Sequence, residues 1–164
     1  MEHFEQVRCR KPIASRNGDI VVACPPMKSN CNVSMLARTA SCMGVNKLII
    51  TGQNRIDKHI SRDYAIPIEH HNSLLPVVRK FKAKCFNIIG IEQSTKSCSI
   101  YTYRFPKDPV LLVIGNECKG IEQELLNELD EVIEIPLLGC PHSLNVAVAA
   151  SICLYEYAKQ FNGD

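Results

Sequence analysis

Three stretches of this chain hold polar side chains where an apolar interior would otherwise run. The first is residues 32–44, NVSMLARTASCMG, in which Arg38 interrupts an apolar helical pattern six residues after Asn32. An arginine there either snorkels to solvent or works on a ligand. The second is residues 115–120, GNECKG, directly after the apolar run 110–114. Two glycines let the backbone turn left-handed and approach a ligand closely, and Glu117 lies between them. A plain strand-to-helix turn is the competing reading. The third is residues 135–156, IPLLGCPHSLNVAVAASICLYE. Pro136 ends a strand, a Pro/Gly loop follows, and Ser143 is expected to cap a helix that is apolar to Tyr155. Ser143 and Asn145 put two short polar groups at a helix mouth, where unsatisfied N–H groups can meet a ligand. None of the three is a Walker loop or a GxGxxG fingerprint, which argues against nucleoside triphosphates and dinucleotides.

The elements that position these stretches alternate. Apolar runs at residues 19–24 (DIVVAC), 47–50 (KLII), 86–91, 110–114 (VLLVI) and 131–135 predict strands. Between them, helices are expected from Asn32 or a neighbour to Met43, with Gly44 beyond its end, over 73–84 and over 122–129. Val33, Leu36, Ala37 and Ala40 form one inward face; Leu74, Leu75, Val77, Val78 and Phe81 form another. Residues 53–72 are mixed and predict a short helix with a connector; His70 and His71 lack ligand spacing and are expected at the surface. Strands with continuous apolar runs, alternating with helices, predict an α/β fold with a mainly parallel sheet covered on both faces. The helix from Ser143 is apolar on nearly all sides and is expected to be buried on nearly all sides.

The 164 residues suffice for one domain with a sizeable core. A net charge of +2 does not by itself argue for nucleic acid. Its cations are local: Arg8, Arg10, Lys11 and Arg16 in a polar arm over residues 1–18, and Arg79, Lys80, Lys82 and Lys84 on one helix. Either group is a solvated surface or an RNA contact. No charge-free run reaches the length of a membrane span, and the first residues lack an apolar signal segment. The nine cysteines form no CxxC pair, so buried reduced thiols in an intracellular protein are expected, and no metal site.

Taken together and in order, the three stretches resemble the motifs of the SpoU branch of the SPOUT methyltransferases: N-x-x-x-x-x-R-T-A, G-N-E-x-x-G and I-P-x-x-G-x-x-x-S-L-N-V-x-V-A. Here they are carried by Asn32, Arg38, Thr39 and Ala40; by Gly115, Asn116, Glu117 and Gly120; and by Ile135, Pro136, Gly139, Ser143, Leu144, Asn145, Val146, Val148 and Ala149. Residues 88–96, IIGIEQSTK, are similar to the eukaryotic tRNA ribose methyltransferases of the TAR-RNA-binding-protein type. Ser34 departs from the glycine or alanine of many members, and the appended domains of ribosomal and bacterial tRNA members have no counterpart. A minimal enzyme and a domain of a longer protein both fit that pattern.

The resemblance implies a methyltransferase domain over residues 19–164 with a C-terminal trefoil knot. It implies S-adenosylmethionine held bent among the loops after Ile91, Ile114 and Ile135, by Glu92, Gln93, Gly115, Asn116, Gly120, Ile135, Leu137 and Leu144. It further implies a homodimer with the active site near the subunit interface, and transfer to an RNA ribose 2′-oxygen, with tRNA and its D-loop guanosine as target. Arg38 is the family's general base by this resemblance; its high pKa favours phosphate binding instead. Asn32 would orient Arg38 or the ribose, Glu117 would fix the loop or the arginine, and Ser143 and Asn145 would lie near the methyl donor. Ribosomal RNA as substrate, a base atom as acceptor, a silent RNA-binding module and a small-molecule enzyme are the competing readings.

Overall fold

The computed structural model describes residues 18–61, 66–139 and 143–162. The basic arm expected over residues 1–18 therefore lies, apart from Gly18, outside the described residues, as do Cys9 and Cys140.

Among the described residues seven strands form one sheet: β1 (Ile20–Cys24), β2 (Lys47–Thr51), β3 (Ile68–His71), β4 (Asn87–Ile91), β5 (Cys98–Ser99), β6 (Val110–Ile114) and β7 (Glu131–Glu134). Their order is β3-β2-β1-β6-β4-β7-β5, and every pairing is parallel. β1 and β6 are buried along their whole length, as their uninterrupted apolar runs require when helices cover both faces. Among the described residues five helices accompany them: α1 (Asn30–Cys42), α2 (Lys58–Ser61), α3 (Leu75–Lys82), α4 (Gln123–Leu126) and α5 (Val146–Asn162). On one face Val33, Leu36, Ala37 and Ala40 of α1 join Ala150, Cys153 and Leu154 of α5 over Val22, Leu112 and Ile133. On the other, Leu74, Val77 and Val78 of α3 and Leu125 of α4 cover Val21, Ile49, Ile88 and Val113. The α/β reading with helices on both faces holds.

Several boundaries differ from expectation. The side chain that caps α1 is Ser29, whose Oγ accepts the Cys31 N–H at 3.1 Å; Asn32 has other partners and sits inside the helix. At the far end Gly44 takes φ 74°, the left-handed residue that stops the helix. α5 is capped by Asn145, not Ser143: Asn145 Oδ1 accepts the N–H groups of Ala147 at 2.9 Å and Val148 at 3.3 Å. α3 and α4 are shorter than expected. Two strands escape an apolar-run search. β3, IEHH, offers one apolar side chain and pairs on one side only; β5 is two residues long. His71 is half-buried and 3.4 Å from Glu69, while His70 is exposed.

The cysteines also divide. Cys24 and Cys153 are buried, and burial pushes both thiols up to about 12, so they are inert at neutral pH. Cys31, Cys42, Cys85, Cys98 and Cys118 are exposed, which corrects the expectation of buried thiols for these five. None of the described cysteines is in a disulfide. No helix among the described residues is long and apolar enough to cross a membrane, and no group of three His, Cys, Asp or Glu among them could hold a metal ion.

Candidate active site

The register aligns the carboxy ends of the inner strands. Ile91 of β4 lies beside Ile114 of β6 and Ile133 of β7, and Ala23 of β1 beside Val113. The loops that follow therefore leave the sheet at one level, and the switch of strand order between β1, β6 and β4 opens a crevice there. A cavity of about 430 Å³ occupies it. That is within the range of small-molecule sites.

Its floor is the turn after β6. Asn116 and Gly120 exchange backbone hydrogen bonds, each 2.9 Å, and Asn116 Oδ1 also accepts the Cys118 N–H at 2.9 Å. Gly120 has φ 64°, a conformation that resists a β-branched residue. A Cβ at Gly120 would also lie 2.2 Å from Glu92 Oε2, and one at Gly115 would lie 2.9 Å from the Gly120 carbonyl carbon. Glu92 occupies the space those side chains would need. Its carboxylate accepts the N–H groups of Ile121 at 2.8 Å and Gln93 at 3.0 Å, tying the loop after β4 to the loop after β6.

A second set of bonds ties that turn to both long helices. Glu117 Oε1 accepts from Asn32 Nδ2 at 2.9 Å, and Glu117 Oε2 accepts the Lys28 N–H at 3.0 Å. Asn32 Oδ1 in turn accepts from Asn145 Nδ2 at 3.1 Å, and Asn145 caps α5. Asn116 Nδ2 donates to the Pro26 carbonyl at 2.7 Å. Desolvation alone would push the Glu117 carboxyl up. The N–H donors of Lys28, Asn32, Ser29 and its own backbone outweigh it and hold the group below the usual carboxylate range. Glu117 is thus an ionised, pinned carboxylate.

Of the residues expected to hold a cofactor, Glu92, Gln93, Gly115, Asn116, Gly120, Ile135 and Leu144 line the cavity; Leu137 does not. Glu117, Ser143 and Asn145 also line it, and Asn32 stands behind them through its two hydrogen bonds. Arg38 is elsewhere. It is exposed, does not line the cavity and has no hydrogen-bond or ion-pair partner among the described residues. Asn32 and Glu117 hold each other and Asn145 rather than Arg38. Glu134 and Cys118 line the cavity and were not singled out in the sequence. Glu134 directly precedes the Ile135-Pro136 strand end, and its Oε2 accepts from Ser97 Oγ at 2.6 Å. No lysine, arginine or histidine lines the cavity among the described residues, whereas three carboxylates do: Glu92, Glu117 and Glu134.

The basic helix α3 is remote from this site. Arg79 Nε lies 2.8 Å from Glu128, and Lys82 Nζ lies 3.5 Å from Asp130. Asp130 immediately precedes β7 and accepts the Ile88 N–H at 2.8 Å, so these pairs sit at the amino end of the sheet. An RNA contact shared between α3 and the cavity does not follow from this placement.

The chain matches the SpoU rRNA Methylase family over residues 19–155. It is 32% identical over 137 residues to the tRNA (guanosine(18)-2'-O)-methyltransferase TARBP1 of Mus musculus, covering 79% of this chain and 9% of that protein. It is 31% identical over 159 residues to the tRNA (guanosine(18)-2'-O)-methyltransferase of Aquifex aeolicus, covering 93% of this chain and 75% of that enzyme. Among solved structures it is similar to the AdoMet-bound rRNA methyltransferase of Sinorhizobium meliloti. The TM-score is 0.75 at 28% identity, over 87% of this chain and 56% of that one. With the family matched across all three motif stretches and the α/β fold beneath them, the chain belongs to the SpoU methylase family.

Proposed function

We propose that this chain transfers a methyl group from S-adenosylmethionine to a ribose 2′-hydroxyl of RNA, with tRNA as substrate and the D-loop guanosine as target. The observation that carries the reading is the cavity wall. Three carboxylates and no cationic side chain among its described lining residues suit a positively charged sulfonium and disfavour a phosphate-bearing cofactor. The Gly115 and Gly120 backbone, open where a Cβ would clash, admits the adenosyl group closely. The choice of tRNA and of guanosine is supported by the names of the mouse and Aquifex relatives. A tRNA substrate implies work in the cytoplasm or the nucleus.

S-adenosylmethionine supplies the electrophilic methyl group. The chain's own residues bind, orient and hold charge. Glu117 fixes Asn32, and Asn32 and Asn145 fix each other, so an amide pair is rigidly presented at the mouth of α5. With Ser143 it orients the ribose hydroxyl. Arg38 carries a planar guanidinium fork that matches a phosphate, so its role is to bind the phosphate beside the target ribose rather than to act as base.

Arg38 can do so in a homodimer. It shares a helix face with Met35, 41% exposed, and α5 exposes Val148, Ile152 and Tyr155 at 41%, 38% and 64%. That continuous apolar face supports a second copy of the chain packing on α1 and α5, with Arg38 brought to a composite site. The trefoil knot belongs to the same reading. β7 joins the sheet beside β4, and α5 then returns across β4 to lie against α1. Residues 19–164 form the methyltransferase domain, and the arm over residues 1–18 contacts RNA.

Incubation with labelled S-adenosylmethionine and either tRNA or ribosomal RNA, followed by nuclease digestion and nucleoside analysis, tests the reading. 2′-O-methylguanosine in tRNA supports it. Label in ribosomal RNA alone moves the substrate, label on a base overturns ribose transfer, and RNA binding without transfer identifies a silent module. Light scattering at micromolar concentration tests the dimer.

A further inference from the structure

We infer that the rim formed by Lys28, Arg55 and Lys58, on the loops after β1 and β2, is a phosphate-binding surface that tracks the RNA backbone leading to the cavity. The inference rests on the RNA methyltransferase reading and adds a binding surface outside the three motifs.

The loop after β2 is built rather than merely connecting. Asn54 is buried, and its side chain makes three bonds to the β1–α1 region. Oδ1 accepts the Met27 N–H at 2.7 Å; Nδ2 donates to the Met27 carbonyl at 2.9 Å and to Asn30 Oδ1 at 3.1 Å. Asn30 Oδ1 also accepts the Arg55 N–H at 3.0 Å. Ser34, fully buried, donates to the Asn30 carbonyl at 2.6 Å and accepts the Asp57 N–H at 2.8 Å. A glycine or alanine at Ser34 could do neither. Buried polar groups cost stability unless every bond is made, and here two of them serve to lock two exposed loops together.

What the lock presents is charge. Lys28 follows Met27 and Arg55 follows Asn54, so the Asn54–Met27 bonds hold the two cations on neighbouring backbone. Lys58 opens α2 three residues on. All three are exposed and none has an ion-pair partner among the described residues. The adjacent carboxylate, Asp57, accepts the His59 N–H at 2.8 Å. Lys47, Arg79, Lys82, Lys119 and Lys159, by contrast, each pair with a carboxylate.

The rim also lies at the right distance. β2 is two strands from β6, roughly 10 Å at the spacing of neighbouring strands, and the Lys28 N–H reaches Glu117 at the cavity itself. On this inference, a ribose bound at the cavity would have a flanking phosphate within reach of this rim. Backbone phosphates are bound by such sequence-independent, salt-sensitive contacts, and arginine adds a planar fork.

The test is the Arg55→Ala/Lys58→Ala double variant of the 164-residue chain, beside the charge-keeping Arg55→Lys/Lys58→Arg. Affinity for tRNA is measured by anisotropy across a salt series, cofactor binding by calorimetry. The alanine variant should bind tRNA about tenfold more weakly at low salt, with a salt slope shallower by about one to two. Its KM for tRNA should rise, with kcat at saturating tRNA and cofactor affinity unchanged. The charge-keeping variant should retain most of the affinity. If the parent chain binds cofactor and tRNA and the alanine variant matches it in affinity and slope, the rim is not an RNA surface and the methyltransferase reading stands. If the parent chain binds neither, that reading fails and this inference fails with it.

Discussion

At the amino end of the sheet, Lys82 donates to the Glu128 carbonyl at 2.9 Å and faces Asp130, and Arg79 meets Glu128 at 2.8 Å. At the carboxy end, Lys28, Arg55 and Lys58 are exposed without a carboxylate among the described residues, while Glu92 and Glu117 are held by N–H donors. The same residue types thus do different work. Below, opposite charges neutralise each other and close the surface where strands begin. Above, Lys119 pairs with Glu122, but Glu92 and Glu117 are held by backbone and amide donors and leave Lys28, Arg55 and Lys58 unpaired among the described residues, one sign at the cavity and the other at its rim. Net charge hides this separation, which is why a value of +2 says little about nucleic acid.

The contrast can be broken from the top. Arg38→Ala should lower methyl transfer by at least about a hundredfold, because a positioning group is lost while the cofactor cavity is untouched; calorimetry should find cofactor affinity within a few fold. Near-normal turnover would place Arg38 with the merely solvated cations. Next in size is Gly120→Val. With φ 64° and Glu92 at 2.2 Å from any Cβ, it should cost about 1–3 kcal/mol of backbone strain and weaken cofactor binding on the order of tenfold. Thermal unfolding and calorimetry read the two effects separately.

A smaller effect is expected from Glu117→Gln, and it depends on pH. The folded carboxyl titrates below its ordinary 4.5. The unfolded chain therefore takes up this proton first as pH falls. The stabilisation is complete above about pH 4.5 and is lost as pH drops through the lowered folded value. The glutamine variant should be less stable at neutral pH and lose less on acidification, a difference visible in melts between pH 7 and pH 3. Smallest is Arg79→Ala or Lys82→Ala. These partly exposed pairs contribute about 0–1 kcal/mol, and neither change should alter the salt dependence of tRNA binding. A clear loss of RNA affinity in either variant would erase the distinction between the two ends.

The sheet's inner strands were legible because burial on both faces demands unbroken apolar runs, as in VVAC and VLLVI. β3 was not, since an edge strand with one covered side can carry Glu69, His70 and His71. The cap of α5 was misread because Ser143 and Asn145 are both good capping residues; hydrogen bonding to Ala147 and Val148 decides for Asn145. The motif residues announced the cavity, yet the sequence did not reveal that Asn32 faces Glu117 and Asn145 rather than Arg38. Six residues along a helix turn the side chain to another face. Glu134 and the Asn54 lock carry no motif. Their roles appear only when strands 20–30 residues or more apart are laid side by side.

The bond between Asn32 and Asn145 closes a loop of chain 113 residues long, and that between Asn32 and Glu117 one of 85. Closing such loops is entropically slow, and proteins dominated by distant pairings fold slowly. During synthesis the first half of the chain holds Asn32 with no partner for it, and the amide pair cannot exist until α5 has emerged and docked. Binding competence is therefore acquired late, as one of the last events of folding. In a refolding experiment it should lag behind helix formation followed by circular dichroism.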